Sequence, residues 1–125
     1  MEDTFDSSIP LPDLEVILSV CAERNIDPIS SAQSEAFFAD VVRNANENRV
    51  DLIEAVRDSL NEFRSISEPP SWIQNPDWQF ANGHPMVFVG QINVSAQAGH
   101  FHDDARFYVF WDPDTGEINS LVQVA

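Results

Sequence analysis

Apolar and polar positions change their rhythm once along this chain, near residue 70. Before that point apolar residues recur at spacings of three and four, which gathers them on one side of a helix. After it they alternate, as a half-buried strand requires. Residues 11–25 carry the first helical pattern, with Leu14, Ile17, Leu18 and Cys21 on one face. Pro12 suits the first turn, where a missing N–H costs nothing, and Asp13 and Glu15 complement the positive end of the helix dipole. Asp27-Pro28 ends the segment, because proline pushes the residue before it out of helical geometry. A second helix is predicted from Ser30, with Gln33 completing a capping box and Phe37, Phe38, Val41 and Ala45 as the apolar stripe. The Asn-rich run 44–48 weakens helix propensity, and Asn48 is placed to cap a third helix over residues 49–66. That helix turns Leu52, Ile53, Val56, Leu60 and Phe63 to one side and Asp51, Glu54, Asp58 and Glu62 to the other, where Arg57 can pair with Glu54.

Glu68-Pro69-Pro70-Ser71 breaks the helical half. Residues 86–94 then set Met86, Phe88, Gly90, Ile92 and Val94 against Val87, Val89, Gln91 and Asn93, and residues 106–111 are dense in aromatic and branched side chains. Asp112-Pro113-Asp114-Thr115-Gly116 is a turn signal, and residues 117–124 return as a strand with Ile118, Val122 and Val124 on one side. The predicted architecture is α+β: about three N-terminal helices packed on a small antiparallel β-meander of three or more strands. A loose acidic tail, 1–10, precedes a single domain, 11–125, with a helical half at 11–67 and a β half at 70–125.

A length of 125 residues suits one domain, and 43% hydrophobic content is enough for a packed core despite the acidity. No stretch approaches the roughly 20 apolar residues that span a bilayer. The acidic start, Met1-Glu2-Asp3, lacks a basic region followed by an apolar one, so a cytoplasmic location is expected. Cys21 is the only cysteine, which excludes a disulfide or a Cys-based zinc site within one chain. Six Arg and no Lys face 21 Asp and Glu, a net charge of −15. Such a field repels nucleic acid and anionic membranes and draws in basic partners. It also serves simply to keep a protein soluble, and charge alone does not separate the two.

Catalytic chemistry finds few residues to use. The absence of Lys removes Schiff-base chemistry, and four scattered glycines make no phosphate loop. Asp103-Asp104 and Asp112/Asp114 fall in hydrophilic turns, unlike the apolar site that raises one carboxyl of an acid–base pair. His100 and His102 share a side if extended, with Asp103 and Asp104 adjacent; a metal group is conceivable there, against a loop whose side chains spread into water or meet a partner. No cofactor and no catalytic residue are expected. Gln91 and Gln123 each interrupt an apolar strand, where a buried amide must find partners. They either bond to each other or to the backbone of Trp72-Ile73-Gln74 as a structural lock, or line a ligand pocket together with Gln74.

Pro70-Ser71-Trp72-Ile73-Gln74, the run from Gly83-His84-Pro85-Met86-Val87-Phe88 to Val89-Gly90-Gln91-Ile92, then Tyr108-Val109-Phe110 and Val122-Gln123 stand in a suggestive order. Over residues 69–124 the chain resembles the YwqG-like family of bacterial proteins. That family shows a Trp-x-Gln segment, a Met-x-Phe-(apolar)-x-Gln-(apolar) strand, a Tyr-x-Phe strand and a late Gln. Its members are usually longer, and the helical half here has no counterpart in them. The resemblance implies no enzymatic reaction; some members look like neighbours of bacterial toxin systems, which implies an immunity role.

The function expected from all of this is non-enzymatic protein binding, as an immunity protein that inhibits a toxin or effector domain with a basic surface. The expected contacts are Asp51, Glu54, Asp58 and Glu62 together with His100, His102, Asp103 and Asp104. The alternatives are a small-ligand or peptide module using Gln74, Gln91 and Gln123, and an acidic nucleic-acid mimic that regulates a DNA-binding protein.

Overall fold

A computed structural model of the chain describes residues 9–95 and 104–125. Three helices come first: α1 (Leu11–Ala22), α2 (Ala32–Asn48) and α3 (Leu52–Ser59), the last extended by a 3₁₀ turn at Leu60–Glu62. A short hairpin of β1 (Phe80–Ala81) and β2 (His84–Pro85) leads into β3 (Val87–Val94), β4 (Ala105–Trp111) and β5 (Ile118–Val124). The last three form an antiparallel sheet in chain order. This is the α+β arrangement that the change of period predicts. Among the described residues no helix is long and apolar enough to cross a membrane.

The helix boundaries differ from expectation for local reasons. Ile9, assigned by sequence to a loose tail, is buried in the core. α1 stops at Ala22, not Asn25, because Asn25 turns left-handed and the Ile26 N–H reaches back to the Cys21 carbonyl at 3.1 Å. The helix is rolled so that Val20 is buried and Leu18 stays 40% exposed. α2 is capped by Ser31 and not Ser30: the Ser31 hydroxyl accepts from the Ser34 N–H at 3.1 Å. It then runs straight through the Asn-rich segment, where Asn48 Nδ2 donates to the Asn44 carbonyl at 2.9 Å. Asp51, not Asn48, caps α3, and regular helix ends at Ser59, well short of residue 66.

One bulge decides which side of the sheet each residue of β3 occupies. Phe88 pairs with Phe110 and Gly90 with Val109, so Val89 is the extra residue. The bulge reverses the alternation: Phe88 faces the helices, whereas Gly90, Ile92 and Val94 face away and Gln91 turns inward. The single-sided stripe expected from residues 86–94 is therefore split between two faces. In β5, Ile118, Val122 and Val124 do share a side, but it is the side away from the helices, and Gln123 points in. The inner face meets a core built largely of rings. Phe63 lies 5.6 Å from Phe37 and 5.3 Å from Trp78, and Trp78 lies 5.4 Å from Phe110, each pair edge to face. The Trp78 indole N–H donates to the Met86 carbonyl at 2.8 Å, so its polar end is satisfied inside the core.

Candidate functional site

Three polar arrangements stand out: a strap tied to the inner face of the sheet, a cleft beside it, and an acidic stripe on α3. The strap is residues 71–75, held by side chains that emerge from the strands. Gln123 is almost fully buried, and its Oε1 accepts from the Ile73 N–H at 3.0 Å and the Gln74 N–H at 2.9 Å. Its Nε2 donates to the Asn75 carbonyl at 2.9 Å. The buried Tyr108 hydroxyl donates to the Ser71 carbonyl at 2.8 Å, and Gln91 Oε1 accepts from the Ser71 N–H at 2.8 Å. Gln74 Nε2 donates to the Val124 carbonyl at 2.8 Å. Trp72 then stacks on Tyr108, ring centres 4.7 Å apart. All three glutamines thus bond to the strap or to the neighbouring strand end, which is the lock geometry weighed against the pocket in the sequence. Gln91 stands apart from the other two.

Gln74 and Gln123 also border an open cleft of ≈ 830 Å³, together with Asp27, Ser30, Asn75 and Asp77. Burial, and then the nearby charge of Asp27, push the Asp77 carboxyl above its ordinary value of 3.8. The Ser30 hydroxyl oxygen is buried without a hydrogen-bond partner. The cleft therefore offers acceptors and negative charge, a setting for an amine or a guanidinium. Neither Asp27 nor Asp77 stands out in the sequence. Asp27-Pro28 is a helix stop and Asp77 sits between Pro76 and Trp78; only the strap brings them together.

The acidic face of α3 is arranged differently from expectation. Asp51 is occupied as the cap, accepting from the Glu54 N–H at 3.3 Å. Arg57 does not pair with Glu54; it reaches across to Glu23 on α1 with an N–O distance of 3.0 Å. That pairing holds the Glu23 carboxyl below its ordinary range. Glu54, Asp58 and Glu62, four residues apart and exposed, are left without an ion pair among the described residues. At its far end the stripe joins a ≈ 340 Å³ groove where Glu62 and Arg64 face His84, Asp112 and Asp114. His84 Nε2 is 3.9 Å from Asp114. Asp112 is buried and spent on its own turn, accepting from the Asp114 N–H and the Thr115 hydroxyl.

Asp104 lies at the other end of β4, roughly 25 Å from the Asp112 turn at about 3.3 Å per strand residue, so it does not join the stripe. His100, His102 and Asp103 lie outside the described residues. Among the described residues no group of three or more His, Cys, Asp or Glu side chains converges as metal ligands would. No family model, curated protein or solved structure matches the chain.

Proposed function

We propose that this chain is a non-enzymatic binding domain, an immunity-type inhibitor that neutralises a toxin by covering its basic cleft. The observation that carries this is the stripe of Glu54, Asp58 and Glu62, whose neighbour on the same helix, Arg57, is committed to Glu23. Like charges four residues apart on a helix weaken it, and the repulsion is relieved when a cationic surface docks. On a body with a charge of −15 the same stripe steers a basic partner to its encounter. The resemblance to the YwqG-like family supplies the toxin; toxins that act on nucleic acids present the basic clefts such a surface complements.

Co-expression with a toxin domain encoded beside this gene tests it: growth is rescued by the chain. The variant E54Q/D58Q/E62Q associates about tenfold more slowly at low salt, and the difference closes as salt rises. An association rate indifferent to ionic strength refutes electrostatic docking.

A second function is supported by the cleft at Asp27 and Asp77, with its unpartnered Ser30 hydroxyl: capture of a small cationic ligand or a peptide arginine. Thermal stabilisation by free arginine or spermidine that Asp77→Asn abolishes favours this one. An unchanged melting temperature removes it.

A further inference from the structure

A further cleft, of ≈ 620 Å³, opens between the end of α1 and the segment that leads into the strap. It shares no residue with the Asp27–Asp77 cleft or with the α3 stripe, and its volume is that of a small-molecule site. Aromatic rings make one wall. Trp72 stacks on Tyr108 and Phe110, with ring centres 4.7 and 6.3 Å apart. Tyr108 and Phe110 stand two positions apart on β4 and are both buried on its inner face. They therefore cover one face of the indole. Trp72 is only half-buried and borders the cleft, so its other face is left for a ligand. Phe63 and Trp78, edge to face at 5.3 Å, lie beside it, and Pro69 and Pro70 add flat apolar surface.

The charge on offer there is positive, against the trend of the chain. Glu23 borders the cleft, but both its oxygens accept from Arg57, at 3.4 and 3.0 Å. Arg24, the next residue, borders the cleft too and is exposed. Among the described residues its guanidinium makes no ion pair and no hydrogen bond. We propose that this cleft binds a planar aromatic carboxylate, its ring on the free face of Trp72 and its carboxylate on Arg24. Two facts choose this chemistry. An indole covered on one side takes a second ring on the other by offset stacking. A guanidinium presents parallel N–H donors that fit the two oxygens of a carboxylate. A cationic ligand finds no partner, because the carboxylate bordering the cleft is committed to Arg57. The site is separate from the inhibitor function and does not depend on it.

The test follows the tryptophan indole N–H signals of the full chain by nuclear magnetic resonance during titration. Indoleacetate is the probe. Indoleacetamide, of the same shape without the charge, and cyclohexylacetate, charged without a π face, are the controls. The Trp72 signal is expected to shift at millimolar indoleacetate, while that of Trp111, which alternates away from Phe110 on β4, stays still. Both controls bind more weakly, the acetamide by about fivefold for an exposed charge pair. Arg24→Gln loses the same factor with its melting temperature unchanged, and Asp77→Asn and E54Q/D58Q/E62Q bind as the parent does. Equal affinity for the acetamide, full binding by Arg24→Gln, or a Trp72 signal that does not move overturns the proposal. So does a Trp111 signal that moves as far as that of Trp72. Acetyl-Gly-Gly-Trp separates the two sources of such a group: binding tighter than indoleacetate assigns the site to a peptide C-terminus, and weaker binding assigns it to a free acid.

Discussion

Replacing Gln123 by leucine tests whether the strap is held as the hydrogen bonds indicate. The side chain is about the same size, so the core is neither emptied nor overfilled, and the change isolates the amide. Two backbone groups lose their partner, the Gln74 N–H and the Asn75 carbonyl, whereas the Ile73 N–H keeps its bond to the Tyr108 hydroxyl at 3.1 Å. A buried polar group left unsatisfied costs about 1–3 kcal/mol. Gln74 and Asn75 are exposed, so water reaches the strap and the low end applies, about 2 kcal/mol in all. Against the about 5–15 kcal/mol that stabilises a domain, this is a sizeable fraction, and it lowers the melting temperature by roughly 7 °C for a chain of this size. Urea unfolding reads it as a shift of the midpoint at constant slope. Gln91→Leu is the internal control: it removes one acceptor from an exposed N–H and costs under about 1 kcal/mol. If both variants unfold at the same urea concentration, Gln123 does not hold the strap and the lock is wrong.

Ser31→Ala costs about 1 kcal/mol by urea unfolding through loss of the α2 cap, whereas Ser30→Ala is neutral or stabilising because its buried hydroxyl has no partner to lose. Burial, and then the charge of Asp27, push the Cys21 thiol from 9.0 up to about 12. Thiol labelling of the native chain at mild alkaline pH should therefore run at least roughly a thousandfold slower than in urea. Because the native value lies above the unfolded one, the stability Cys21 contributes is complete below 9.0 and is lost as pH climbs toward about 12, at up to about 1.4 kcal/mol per pH unit. Asp77 obeys the same sign in acid: its raised carboxyl favours the native state below 3.8 and opposes it when ionised. Asp77→Asn thus raises the melting temperature at neutral pH and not at strongly acidic pH. Asp27→Asn relieves the same repulsion, so the double variant gains less than the two single gains together.

The class of fold and the order of the strands follow from the change of period at residue 70, because side-chain spacing states directly which face an element buries. The Asn82-Gly83 pair, both residues at positive φ, is also a hairpin signal of the strongest kind, and it makes β1–β2. What the spacing does not carry is any event that depends on distant partners. An extra residue at Val89 is indistinguishable in sequence from continued alternation, yet it reverses the faces of β3. Arg57 lies within reach of Glu54 along its own helix but bonds to Glu23, thirty-four positions away, because α1 and α3 pack side by side. The Asp27–Asp77 cleft needs the strap in place before its carboxylates meet. The lock was legible at Gln91 and Gln123 because a polar residue in an apolar strand demands a partner, although the partner's identity had to come from the fold.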